Sequence, residues 1–317
     1  MNRQTPSADP YALSPTTFHV DAGPRWPALP VHSWQDTRDT VQLWTQIIGK
    51  TRLALAAPLN HWWGITLHLN ARGLTTMLMP TLAGGLEVAF DFVDHRLTLQ
   101  TTDGRQRAMR LEPRSVADFY AEYRTHLTDL DVHVVLDPTP VELTQVIPFD
   151  EDTVHDSYDP QAMRAFWTSM ISVGNVLARF RGEFRGKASN VHFFWGAFDL
   201  AVTRFSGRPA PRHPGGVPHC PDWVMHEAYD AELSSCGYWP GGADEGAFYS
   251  YAYPEPPGYR ETELSTPDAG YDATLGEFLL PYRSVRTAAD PEATLLAFLR
   301  ETHDAAARLA DWPPSNP

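Results

Sequence analysis

Three charged or titratable side chains lie in or beside one predicted strand in the second half of the sequence. His192 could act as a general base or a metal ligand, because imidazole titrates near neutral pH. Asp199 is a second candidate for proton transfer. Arg204, with Arg208 just beyond it, could hold a carboxylate or phosphate of a ligand in its planar fork. Since side chains alternate along a strand, Asp199 and Arg204 are predicted on opposite faces.

Ordinary structural roles could explain the same residues. An ion pair that fixes the strand would account for Asp199 and Arg204, because a charge leaves water only when it is paired or hydrogen bonded. A histidine beside Phe193 and Phe194 is often a hydrogen-bonded core residue. The sequence alone leaves both alternatives open.

Residues 213–236 contain several imidazole and thiol groups, which are preferred zinc ligands. They belong to His213, His219, Cys220, His226 and Cys236. Their spacing contains no Cys-x-x-Cys pair and no His-x-x-x-His pair, and Asp230 stands where a zinc-protease helix beginning at His226-Glu227 would have its second histidine. The sequence therefore favours no metal and predicts no cofactor. His226 and Glu227 remain candidates for proton transfer.

Aromatic residues are concentrated between positions 190 and 260. Tyr249, Tyr251 and Tyr253 alternate, so their three phenols are predicted on one strand face. Rings with a polar tip suit the wall of a ligand pocket, and they suit a packed sheet equally well. Trp195 and Trp239 are the other candidates for such a wall.

Composition and motifs exclude several classes of protein. The 317 residues carry a net charge of −14, which repels nucleic acid and anionic membrane surfaces. The sequence contains no phosphate loop, no Gly-x-Gly-x-x-Gly turn and no Gly-x-Ser-x-Gly elbow. It also lacks an apolar run long enough to span a bilayer, and its two cysteines fit a reducing compartment. We expect a cytoplasmic protein without nucleic-acid or membrane partners; the oligomeric state is not predictable.

The elements around these residues follow from capping signals and hydrophobic periodicity. Alternation between Trp62 and Leu111 predicts an antiparallel meander of about five strands that begins at Trp63, and Asp131 to Leu136 resembles one more strand. The predicted helices are about 33–52, 115–130, 159–181 and a last one from Asp290-Pro291.

Two stretches of the chain resemble each other. Trp63-Gly64 follows the first predicted helix as Trp195-Gly196 follows the third, and the helices that end each stretch are also similar. We predict an α+β fold with an extended lead-in (1–30) and two pseudo-repeated halves (31–150 and 151–317), each an antiparallel meander flanked by helices. The second half would carry an aromatic, proline-rich insertion at about 209–246. Chance similarity of short patterns is the alternative.

Four phrases of the sequence are distinctive. They are Trp26-Pro-Ala-Leu-Pro30, His192-Phe-Phe-Trp-Gly-Ala-Phe-Asp-Leu200, Ser234-Ser-Cys-Gly-Tyr-Trp-Pro-Gly241 and Phe248-Tyr-Ser-Tyr-Ala-Tyr-Pro-Glu-Pro256. Together they resemble a bacterial family, domain of unknown function 5996, over about residues 25–312. The resemblance implies a bacterial protein that forms one unit over nearly the whole chain. It implies no activity and no catalytic residue.

Three functions remain compatible with these patterns. The first is binding of a small organic ligand, which could be anionic, in an aromatic-lined cleft between the two halves, with Arg204 and Arg208 as anion clamps and the option of enzymatic activity. The second is a non-catalytic protein-interaction module with an exposed Trp and Tyr surface. The third is a metal-dependent enzyme that uses the His and Cys residues of the insertion.

Overall fold

The computed structural model describes residues 25–242 and 244–313. Its helices are α1 (Val31–Leu55), α2 (Val116–Asp129), α3 (Pro160–Gly182), α4 (Asp222–Ala228), α5 (Tyr282–Arg286) and α6 (Pro291–Leu309), with a 3₁₀ helix at Asn60–Ile65. Its strands are β1 (His68–Leu69), β2 (Gly73–Thr75), β3 (Met79–Thr81), β4 (Gly84–Asp91), β5 (Arg96–Thr101), β6 (Gln106–Arg110), β7 (His192–Phe194), β8 (Asp199–Pro209), β9 (Ala231–Trp239), β10 (Ala247–Tyr253), β11 (Gly270–Asp272) and β12 (Glu277–Pro281).

Side-chain caps fix the starts of three helices where the sequence predicts them. Ser115 accepts a hydrogen bond from the amide of Asp118 at the start of α2. Asp159 and Asp290 do the same for first-turn amides of α3 and α6, each followed by a proline that is tolerated at that position. The predicted helix starts at these positions are confirmed.

Helix α1 runs through the interior of the protein. It begins and ends a few residues outside the predicted range of 33–52. Every residue from Leu43 to Arg52 is buried, so this half of the helix is covered on all sides. Gly49 leaves room for the ring of Trp195, because a Cβ atom at this position would overlap the indole. The helix therefore packs against β3 of the first sheet and against the turn between β7 and β8 of the second.

The first sheet is antiparallel, with strand order β1-β2-β4-β5-β6 and β3 paired to β4. Two sequence predictions are wrong here. Trp63 lies in the 3₁₀ helix instead of a strand, since His61 and Trp62 adopt left-handed backbone conformations that interrupt an extended chain. Residues 131–136 form no strand, because they follow α2 without pairing to either sheet.

The second sheet is also antiparallel, with strand order β11-β12-β10-β9-β8-β7. Strand β9 falls within the predicted insertion at about 209–246, yet it pairs with both β8 and β10 in the middle of this sheet. The two sheets meet where the backbones of Leu67 and Phe193 exchange hydrogen bonds of 3.0 and 2.9 Å. One continuous hydrophobic core extends across both.

The class prediction of an α+β fold with two antiparallel sheets is confirmed. The pseudo-repeat stays a prediction: of its paired tryptophans, Trp63 lies in a 3₁₀ helix and Trp195 in the turn between β7 and β8. Most of the predicted lead-in lies outside the described residues, but Trp26 and Leu29 are buried. None of the helices in the described ranges combines the length and apolar character that crossing a bilayer requires.

Candidate functional site

Two adjoining cavities lie on one face of the second sheet. The outer cavity, of about 570 Å³, lies over β8, β9, β10 and β12. The inner cavity, of about 220 Å³, lies between this sheet, the 3₁₀ helix and α4. Both are bordered by Ala197, Asp199, Tyr249 and Tyr251, so these four residues stand where the cavities meet. A ligand pocket of a few hundred Å³ suits a small organic molecule.

Asp199 lies at this junction and is held by a tyrosine from two strands away. Its side chain is buried, with only 7% of the residue exposed, and one carboxyl oxygen accepts a hydrogen bond from the Tyr249 hydroxyl. Tyr249 on β10 reaches β8 because Gly237 on β9, between them, has no side chain. A Cβ atom on Gly237 would lie 2.5 Å from the Tyr249 hydroxyl. Glycine in a strand often marks such a close approach.

Glu142 brings a second carboxyl to the inner cavity from a loop that α1 fixes in place. The Gln46 side chain of α1 accepts a hydrogen bond from the Val141 amide (2.8 Å) and donates one to the Val141 carbonyl (2.9 Å). The Glu142 carboxyl lies against Gly196, where a Cβ atom would collide with it. Glu142 is exposed by its accessible surface, yet many protein atoms surround its carboxyl, as expected for a group that projects into a recess.

Glu277 at the start of β12 lines the outer cavity beside Leu279 and Tyr251. The carboxyl groups of Glu277 and Glu142 accept no hydrogen bond from the described residues. Burial raises the pKa of Asp199 to about 6 and those of Glu142 and Glu277 to about 7, and the negative charge of Asp199 contributes to both glutamate shifts. Within the described ranges, no Lys, Arg or His forms an ion pair with any of the three.

Tyrosine rings form the wall between the carboxyl groups. The hydroxyl groups of Tyr251 and Tyr229 lie 2.8 Å apart, and the Tyr249 and Tyr251 rings stack with centroids 6.1 Å apart. Burial raises the pKa of Tyr251 to about 12, so the phenol stays neutral at physiological pH. Tyr253 lies beyond this wall, where it donates a hydrogen bond to the carbonyl of Pro211 (3.0 Å).

The two predicted anion clamps lie outside both cavities. Arg204 is buried on the opposite, helix-covered face of β8, where it donates a hydrogen bond to the carbonyl of Phe180. Arg208 donates hydrogen bonds to Glu232 (2.8 Å) and to backbone carbonyls just after α6. The structure therefore separates Asp199 from Arg204, as the alternation of the strand predicts, and pairs neither arginine with it.

His192 and Trp195 are buried residues with structural roles. His192 is buried among aromatic rings and lines neither cavity, and burial lowers its pKa to about 3. Trp195 packs on Gly49 and donates a hydrogen bond to the carbonyl of Ile65 (2.8 Å). Trp239, which is 41% exposed, does line the outer cavity.

The histidines and cysteines of the predicted insertion do not converge. His213 packs on the rings of Tyr229 and Tyr253, whereas His226 contacts Arg212. The remaining groups are spread over several positions: His219 is exposed, Glu227 is half-buried on α4, Cys220 borders the inner cavity and Cys236 is buried on the helix-covered face. Among the described residues, no group of three or more His, Cys, Asp or Glu side chains is arranged to hold a metal ion.

Four residues of the site are absent from the sequence-based candidates. They are Glu142, Tyr229 and Glu277, which line the cavities, and Gly237, over which Tyr249 passes. Glu277 and Leu279 are two positions apart, so the sequence places them on the same face of β12 but does not show which face that is. Glu142 lies in a loop with no periodicity, and only its contacts to Gly196 and the neighbouring Gln46 hydrogen bonds reveal it.

Comparison with known proteins agrees with the resemblance noted from the sequence. No curated protein and no solved structure matches the chain significantly. A family model, described as a family of unknown function (DUF5996), matches residues 26–316. Because this match covers nearly the whole chain, the protein belongs to the DUF5996 family.

Proposed function

We propose that the outer and inner cavities bind a small organic cation, such as a protonated amine with an apolar body. The observation that carries this proposal is a set of carboxyl groups that border the cavities without a basic partner: those of Glu142, Asp199 and Glu277, whose pKa values are raised, and the exposed carboxyl of Asp244 in the outer cavity. Asp199 is buried and Glu277 half-buried, and carboxylates that lose hydration beside one another are costly unless a proton or a cation neutralises them. A bound ammonium group would supply that charge.

The walls of the outer cavity support a ligand with an apolar body. Trp239, Tyr249 and Tyr251 present aromatic rings, and most of the remaining lining is aliphatic or glycine. Aromatic faces attract cations through their negative electrostatic potential. The sequence left an anionic ligand open, but neither cavity is lined by Lys or Arg, and Arg204 and Arg208 lie elsewhere.

A second candidate function is proton transfer to or from the bound molecule. The hydrogen bond between Tyr249 and Asp199 and the pKa of about 6 for Asp199 favour it, because a carboxyl group that titrates near neutral pH can act as acid or base. His226 and Glu227 remain candidates only as sequence predictions, as does the exposed aromatic surface for a protein partner. We further propose a cytoplasmic location, since Cys220 and Cys236 are both free thiols.

Isothermal titration calorimetry at pH 8 tests the cation proposal with three probes of similar shape. They are 2-phenylethylamine, neutral 2-phenylethanol and anionic 3-phenylpropanoate. We expect the amine to bind at least about tenfold more tightly than the alcohol, since charge-assisted hydrogen bonds contribute roughly 1.5–3 kcal/mol. Asp199→Asn should remove this preference, whereas the exposed control Glu261→Gln should retain it. Equal binding of the three probes, or tightest binding of the anion, would contradict the proposal.

A further inference from the structure

A third cavity, of about 470 Å³, lies between α6 and the two residues that directly follow α3, on the other face of the second sheet. Arg204 and His303 form part of its wall, with Phe184 and Trp312 as aromatic neighbours and Arg300 and Arg308 at its rim. It shares no lining residue with the outer or inner cavity. We call it the Arg204 cleft.

The Arg204 guanidinium makes no direct ion pair, although the charges of Glu183 and Asp304 act on it at longer range. Only 4% of the residue is exposed, and within the described ranges no carboxylate forms an ion pair with it. Its guanidinium stacks on the Phe180 ring, 3.4 Å from the centroid, and donates one hydrogen bond to the Phe180 carbonyl, while its Nε has no partner. Glu183, directly after α3, is instead paired with Arg300, and Asp304 on α6 lines the same cavity without forming an ion pair with Arg204. A buried charge of this kind calls for a counter-ion.

His303 adds a second unsatisfied group to the same wall. It is 6% exposed, and its Nδ1 has no hydrogen-bond partner. Burial and the nearby charge of Arg204 lower its pKa to about 3, so the ring is neutral and can donate one hydrogen bond. The charged residues that line the cleft are three arginines (Arg204, Arg300 and Arg308) and two acidic residues (Glu183 and Asp304).

We propose that the Arg204 cleft is a binding site for a small oxyanion, a carboxylate or phosphate group that the Arg204 guanidinium and the His303 ring hold between the end of α3 and α6. The anion supplies the direct ion-pair partner that Arg204 lacks, since Glu183 and Asp304 line the cleft without forming an ion pair with it, and Arg308 at the rim adds attraction as the anion enters. Phe184 and Trp312 leave room for an apolar group on the same molecule. This site is independent of the proposed amine site.

Calorimetric titration with inorganic phosphate at constant ionic strength tests this inference. We expect saturable binding by the wild-type protein and at least a tenfold loss of affinity in Arg204→Met, which keeps the apolar stem without the charge. Arg212→Met, which changes an exposed arginine outside the cleft, is the matched control and should bind as the wild type does. Asp199→Asn should also retain phosphate binding, because it changes only the opposite face of the sheet.

A second variant keeps the inference testable if Arg204→Met fails to fold. Arg308→Gln alters only the exposed rim of the cleft and should weaken phosphate binding several-fold. The inference is wrong if the wild-type protein binds no phosphate, or if Arg204→Met, or Arg308→Gln in its place, binds phosphate as tightly as the Arg212→Met control. Titration with acetate then distinguishes a general oxyanion site from one that requires phosphate.

Discussion

Replacing Asp199 by asparagine should stabilise the fold while removing the proposed amine site. The carboxyl has a pKa of about 6 in the folded protein, against 3.8 in the unfolded chain. At 1.36 kcal/mol per pKa unit, this difference costs the wild-type protein about 3 kcal/mol of folding free energy once the group is ionised in both states. Asparagine keeps the shape, and its oxygen can still accept the Tyr249 hydrogen bond, without the charge.

The sign of this effect depends on pH. Below about pH 4 the carboxyl is neutral in both the folded and unfolded states, so the variant and the wild type should have similar stability. Between about pH 4 and 6 only the unfolded chain ionises, and the folded wild type loses stability as pH rises. The advantage of Asp199→Asn should therefore grow through this range and remain near its maximum at pH 8.

Urea unfolding followed by tryptophan fluorescence measures this difference at a series of pH values. Asp91→Asn is a control with the opposite expectation. Asp91 is also buried, but Arg72 donates a hydrogen bond to it (2.7 Å) and its pKa is lowered, so its loss should destabilise the protein at pH 8 and matter less as pH falls. The reasoning fails if Asp199→Asn is less stable than the wild type at pH 8, or if its advantage does not change with pH.

Two glycine substitutions test the packing of the core and of the site. Gly237→Ala should displace Tyr249 and weaken amine binding, because the new methyl group would occupy the path of the ring across β9; calorimetry with 2-phenylethylamine measures the loss, and unchanged affinity would contradict it. Gly49→Ala should lower the free energy of urea unfolding by about 1–3 kcal/mol, since the methyl group would overlap the Trp195 ring in a closely packed core. A stability equal to that of the wild type would show that the core adapts at this point.

Local chemistry made the helices and most of the first sheet predictable. Caps at Ser115, Asp159 and Asp290 act within one turn of chain, so the sequence contains the whole interaction. The alternation in residues 86–92 likewise reports a strand with one buried face, as the structure confirms for β4. Trp63 was not predictable in this way, because the left-handed backbone of His61 and Trp62 depends on packing against distant residues such as Trp223.

The site was only partly predictable for a related reason. The alternation of Tyr249 and Tyr251 indicates a shared face, and the structure places both on the cavity side. Arg204 is a charged residue in an apolar stretch of sequence, which suggests a ligand site, yet the same alternation that puts Asp199 in the cavities puts Arg204 on the opposite face. The place of Glu142 in the site was not predictable from the sequence, because it depends on hydrogen bonds between residues about a hundred positions apart.

The hydrogen bonds between Gln46 and Val141 affect how often the loop that carries Glu142 opens. Loops without regular structure usually open and close far more often than the elements they connect. Here both backbone groups of Val141 are bound by the fully buried side chain of Gln46 on α1. The loop that presents Glu142 can detach only when that interaction breaks, so an irregular segment shares the persistence of the helix that anchors it.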